Sequence, residues 1–216
     1  SVIGVDEGAS LFNYGTMNPD AVLNNAGAYH GEGMDQDLRA LINSGDVFAG
    51  SLTVANQTVF NGGRLQGTLH AMGGATLNDG TAIEGELVGN VTTHGGVAVS
   101  GTLGGGGELR IENGILDLTG TSTHDVTTIA SGATLKNSGN LGDTSHITNF
   151  GTLSVNAGDT IGRLFNNGGL VDGSGRLIGL NFDRVDEAVA GDFGWNADRS
   201  RNVVVDIRYV LWVIES

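Results

Sequence analysis

Five histidines, His30, His70, His94, His124 and His146, stand apart in the chain, with no His-x₃-His or His-Glu-x-x-His spacing among them. A metal needs ligands that converge, and these spacings supply none, so turns and surface are their expected places. The carboxylates come closer to chemistry. Glu84 and Glu86 are two apart and so share one face of a strand, with Glu108 and Glu112 nearby in the chain. Paired carboxylates are the groups that cleave glycosidic bonds. Such a site also needs a groove, usually built by long projecting loops. Asp183, Asp186, Glu187 and Asp192 form an acidic cluster, for which solvated surface is the simplest role. No Gly-Gly-x-Gly-x-Asp repeat or Asp-x-Asp-x-Asp-Gly loop accompanies it to suggest calcium. The run Gly104 to Gly107 lacks the Gly-Lys-Ser/Thr that would make it a phosphate loop, and Gly173-Ser-Gly175 does not complete a dinucleotide fingerprint. The expectation is therefore no catalytic residue, no metal, no cofactor and no enzyme.

The elements that would position these residues follow from composition and period. The 216 residues include 38 glycines and one proline, with no Gly-X-Y repeat that would indicate collagen. At 39% hydrophobic, the chain is too apolar for a disordered linker, so the glycines imply many tight turns between short strands. A net charge of −14, with Lys136 the single lysine, argues against nucleic acid and against anionic membrane surfaces, which both need a basic face. Cysteine is absent, which removes disulfides and thiolate metal sites. Ser1 to Glu7 has neither the basic start nor the apolar stretch of a signal peptide, and Tyr209 to Ile214 is too short to span a membrane.

An Asn-x-Gly marker recurs at Asn13, Asn25, Asn43, Asn61 and Asn78, then at Asn137, Asn149 and Asn166. Its spacings are 12, 18, 18 and 17, then 12 and 17. A second marker, Gly-x-Leu, falls at Gly50/Leu52, Gly67/Leu69, Gly85/Leu87 and Gly101/Leu103. Between the markers the chain alternates, as in Leu52-Thr-Val54 and Leu116-Asp-Leu118, which is the pattern of strands. Short strands repeated about every 18 residues can close a core only by coiling, with inward Leu, Val and Ile stacked in columns. The fold expected is all-β, a parallel β-helix of roughly nine coils and about 45 Å long at ~4.8 Å per coil. In it Leu52, Leu69, Leu87 and Leu103 share an interior column, and asparagines in register form a ladder of amides.

Two stretches depart from the period. Met34 to Ile42 reads as one or two helical turns capped by Asp35. Residues 181–216 lose the asparagine marker and carry Trp195, Trp212 and the apolar strand Asn202 to Ile214. The expected division is therefore 1–180 as β-helix and 181–216 as its C-terminal cap, or a junction to a following domain. The marker also fades over 91–136.

The stretches Gly132 to Leu141, Ile147 to Val155 and Leu164 to Leu177 resemble autotransporter passengers and filamentous-haemagglutinin-type adhesins. That resemblance covers about residues 10–180. It implies a right-handed β-helix secreted across a Gram-negative outer membrane, serving adhesion, self-association or biofilm formation. The implied partners are other copies, a host or cell surface, or a polysaccharide. Nucleic acid and membrane insertion are not among them, and the location is secreted or cell surface. The middle, Gly62 to Val91, is similar to bactofilins, which implies a cytoskeletal polymer as an alternative. A polysaccharide lyase or tailspike-like hydrolase on the same fold is the other.

Overall fold

The computed structural model describes residues 1–33, 36–142, 146–155, 161, 163–167 and 169–173. Every regular element among them is a β-strand, and every strand pairing is parallel. The chain winds as a three-faced β-solenoid, each face a stack of strands from successive coils.

The first face begins with Val2–Val5, which pairs with Val22–Asn25, and ends with Arg163–Asn166. The second begins with Ser10–Asn13 on Ala28–Gly31 and ends with Leu170–Gly173. The third begins where Gln36 pairs with Leu52 and ends with Asn140–Leu141. Partners in adjacent coils are 16 to 20 residues apart, as in Ala75 with Val91 and Val2 with Val22. Alternation decides which side chains enter the lumen. In Ile115–Leu118, Leu116 and Leu118 are buried while Ile115 faces out.

The interior column expected of the leucines is present. Leu52 pairs with Leu69, Leu69 with Leu87 and Leu87 with Leu103, all fully buried. At ~25 cal/mol per Å² of apolar area, each such leucine contributes about 2 kcal/mol.

The Gly-x-Leu glycines mark the corner between the second and third faces. A Cβ on Gly85 would run into the Gly67 carbonyl, one on Gly101 into that of Gly85, one on Gly120 into that of Gly101 and one on Gly139 into that of Gly120. Here coil backbones stack too closely for any side chain, which is why glycine recurs. The corner continues through Gly120 and Gly139, so the repeat persists across 91–136. There Ser122 takes the leucine place, and Thr93, Ile111 and Ile129 take the register place that Asn149 holds further on.

The asparagine marker proves to serve two corners, which explains its spacing of 12. Asn13 and Asn137 end strands of the second face, whereas Asn25, Asn43, Asn149 and Asn166 end strands of the first. Asn25 Nδ2 donates to Asn43 Oδ1 at 2.7 Å, and Asn149 Nδ2 donates to Asn166 Oδ1 at 2.9 Å. These amides also bond the next turn's carbonyls, Asn43 to Gly45 and Asn149 to Leu170. Buried turn groups thus obtain partners that water cannot supply.

The helical turn expected over 34–42 is not formed. Gln36–Asn43 is a strand, with Gln36, Leu38, Ala40, Leu41 and Asn43 buried. Its pairing slips between Leu38 and Ala40, where the chain passes from the third face to the first. Strands on both sides offer continuous backbone partners there, and that pairing overrides local helix preference. Met34 and Asp35 lie outside the described residues, as does the expected cap over 181–216.

Candidate functional site

The most chemically distinctive constellation lies in the lumen, beside the third face. One row of that face narrows along the rod: Leu38, Val54 and Ala71 fill successive coils, then Gly89 follows half-buried and Gly105 exposed. Counting on from Leu103 paired with Ser122, the next place belongs to His124. Gly89 is joined to the His124 imidazole through its backbone carbonyl. A Cβ on Gly105, whose φ is +98°, would sit 2.7 Å from Val88 Cγ1.

His124 is 1% exposed and Ser122 2%. Ser122 Oγ lies 3.1 Å from His124 Nδ1, and His124 Nε2 lies 2.9 Å from the Gly89 carbonyl oxygen. A carbonyl only accepts, so Nε2 carries the proton and Nδ1 accepts from the serine hydroxyl. Burial pushes the imidazole below its ordinary range, against the upward pull of the Gly89 carbonyl and the Asp125 carboxylate. A serine beside a histidine suggests a nucleophile and its base. Here both are sealed in a packed lumen with no room for a substrate, so the pair is structural.

His124 corrects the expectation that the histidines lie at turns and on the surface. Its sequence signal was the polar Ser122 at the leucine place of the Gly-x-Leu marker. His30 is sandwiched on the outside between Phe12 and Phe48, at ring separations of 4.4 and 4.7 Å. Arg64 caps that stack over Phe48. His94 meets Asn113 at a corner.

The carboxylates are spread along the outer faces. Glu84 accepts from Gln66 and faces Arg64 at 3.8 Å, while Glu86 faces Thr68. Glu108 accepts from Thr128, and Glu112 pairs with Arg110. Each is engaged by a neighbouring coil or by its own strand, in ladders rather than across a cleft. Among the described residues no group of three or more His, Cys, Asp or Glu is placed to hold a metal. A surface cleft of about 410 Å³, lined by residues including Asn56, Gln57, Thr76, Asn90 and Thr92, offers amides and hydroxyls but no charged group. Gly105, Gly106 and Gly107 all have positive φ and turn a corner, as their lack of a phosphate motif suggests. The acidic cluster Asp183, Asp186, Glu187 and Asp192 lies outside the described residues.

The model of the peptidase S46 family matches residues 113–216. That span takes in the last coils of the solenoid and all of 181–216, where the repeat gives out. Among similar curated proteins is the Asp/Glu-specific dipeptidyl-peptidase of Porphyromonas gingivalis, 54% identical over 46 residues, which are 21% of this chain and 6% of that one. The dipeptidyl-peptidase 7 of Capnocytophaga gingivalis is 51% identical over 47 residues, 22% of this chain and 7% of that one. The dipeptidyl-peptidase 7 of Porphyromonas gingivalis is 40% identical over 84 residues, 35% and 12% respectively. The stretches matched are between 5% and 12% of the length of these curated relatives. No solved structure matches the chain.

These matches overturn the reading of the chain as an adhesin of autotransporter-passenger type, and with it the expectation of no enzyme. They point to a peptidase, and neither the saccharide-cleaving alternative nor the bactofilin-like one agrees with them. The physical reason for the error is plain. The asparagine and glycine markers report how coils stack, and they say nothing of the chemistry that the protein performs elsewhere.

Proposed function

We propose that this chain is a portion of a secreted or surface-exposed dipeptidyl-peptidase, in which the solenoid is a rigid spacer and the peptidase chemistry lies outside its coils. The observation that carries the reading is the family match over 113–216. Two structural features support the division of labour. The lumen is filled by stacked side chains, and the Ser122–His124 pair is sealed inside it. The outer carboxylates are engaged in ladders between coils. The net charge of −14 accords with a soluble chain that works outside the cell.

The test uses the protein that carries this chain and a panel of synthetic peptides with free or blocked N-termini, varied at the second residue. Mass spectrometry should find dipeptides released from the free N-termini alone. Peptides left intact across the whole panel would refute the reading. Ser122→Ala should leave the release unchanged, because that hydroxyl is buried and structural.

A further inference from the structure

The corner between Glu108–Ile111 and Ile115–Leu118 brings four groups together. Asn113 is exposed and is followed by Gly114, which has φ +73°. Asn113 Oδ1 accepts from the Gly95 backbone N–H at 2.9 Å, and Asn113 Nδ2 lies 3.2 Å from His94 Nδ1. The Gly114 N–H donates no hydrogen bond among the described residues. We infer that Asn113 is a self-modification site, at which the Gly114 backbone nitrogen displaces the Asn113 side-chain nitrogen with help from His94 and Gly95.

The chemistry needs no external reagent but water. At rest the Asn113 amide donates to His94 Nδ1, which is therefore unprotonated. The Gly114 nitrogen gives its proton, through water, to His94 Nδ1 and forms a bond to Cγ of Asn113. In the tetrahedral intermediate Nδ2 has become an amine with a lone pair, takes that proton from His94, and leaves as ammonia as the Cγ–Nδ2 bond breaks. Water then opens the five-membered imide to aspartate or isoaspartate. Each contact at this corner aids one part of that sequence. A side chain at residue 114 would crowd the attacking nitrogen, and glycine has none. The Gly95 N–H faces the oxygen on which negative charge gathers in the tetrahedral intermediate, as a fixed dipole would in an oxyanion hole. The imidazole touches the leaving nitrogen, where a general acid must stand.

A second asparagine–glycine pair in the same rod serves as an internal reference. Asn61 precedes Gly62, whose φ is +97°, and its Oδ1 accepts from Asn78 Nδ2 at 2.7 Å. Among the described residues no imidazole lies against its side-chain nitrogen. The two sites thus share a nucleophile, a left-handed glycine and a bonded carbonyl oxygen, and differ in the proton donor. Isoaspartate at 113 would lengthen the backbone by one carbon and add a negative charge. Both would fall at the entrance to the second face, where Gly114 accepts from the Thr134 N–H of the next coil. The site would therefore record the age of the protein and loosen one coil as it does so.

The experiment is incubation of the intact chain at neutral pH, followed by peptide mapping of aspartate and isoaspartate at residues 113 and 61. Asn113 should convert several-fold faster than Asn61. His94→Gln, which keeps a hydrogen-bonding side chain but cannot relay a proton, should bring Asn113 down to the Asn61 rate while Asn61 itself is unchanged. Equal rates at the two sites in the wild type would overturn the proposal. So would a His94→Gln rate at Asn113 that is unchanged, or one that rises, since a rise would mean that His94 only holds the corner still. These outcomes do not depend on the peptidase reading.

Discussion

Two consecutive stretches of the third face solve the same packing problem in opposite ways. From Leu52 to Leu103 the lumen is a column of fully buried leucines, each filling its own coil. One coil later the leucine place is held by Ser122, and the buried His124 beside it bonds both Ser122 and the Gly89 carbonyl. The backbone period is hardly affected: Leu103 to Ser122 is one register step of the same kind as Leu87 to Leu103. A solenoid interior thus tolerates polar chemistry provided that neighbouring coils supply both the volume and the hydrogen-bond partner. Single hydroxyls with no partner among the described residues are also present, at Thr58, Thr93 and Thr127, whereas an unpaired charge would cost far more.

The largest expected effect lies in the leucine column. Leu87→Asp places a carboxylate between Leu69 and Leu103 with no partner, at a cost of several kcal/mol, on the order of half a typical domain's stability. The thermal melt should shift downward by many degrees and stay cooperative. A melt equal to wild type would show that the column does not carry the rod.

A smaller effect, with a distinctive pH signature, is expected one coil away. The fold holds His124 neutral, with its imidazole below the ordinary value, while in the unfolded chain it titrates near the ordinary value of about 6.5. Between those values the unfolded state binds more protons, so this contribution is intact above about pH 6.5 and is lost as pH falls toward the folded value. His124→Gln, which retains a donor for the Gly89 carbonyl and does not titrate, should remove that part of the acid sensitivity. Melting curves of both proteins across pH 5 to 8 should diverge toward the acid end. Parallel curves would show that His124 is free to protonate within the fold.

The smallest effects separate buried from exposed amides. Asn43 is fully buried and accepts from Asn25, so Asn43→Ala should cost about 1–2 kcal/mol by leaving Asn25 Nδ2 one partner short. Asn61 makes the same kind of bond with Asn78 in an exposed turn, where water replaces it, and Asn61→Ala should stay within about 0.5 kcal/mol. Chemical denaturation of the two variants checks the order. A larger loss at Asn61 would mean that the ladder acts through its turns rather than through burial.

The architecture was legible because a solenoid repeats one local solution. The 17–18-residue period, the strand alternation and the leucine column follow from side chains that must match the coils on either side, so spacing alone reveals them. The amide ladder is formed only in part, as pairs such as Asn25–Asn43 and Asn149–Asn166, because Phe60, Leu77, Thr93, Ile111 and Ile129 hold the same place in the coils between. Where the sequence misled, the deciding contact was not periodic. Met34 to Ile42 has local helix character, but Gln36–Asn43 is a strand because coils on both faces supply its backbone partners. The spacing of 12 looked like an irregular repeat until register assigned Asn13 and Asn25 to two different corners. His124 looked like a surface residue because its one local sign, Ser122 at a leucine place, does not say that Gly89, 35 residues earlier, lies within 2.9 Å. The adhesin reading failed for a related reason, since stacking signals describe a scaffold and say nothing of what it holds. Period and composition determined that the chain coils, and how tightly. Only tertiary packing decided which polar groups enter the lumen and which corner brings His94 to Asn113, because those contacts join coils at positions that no single repeat specifies.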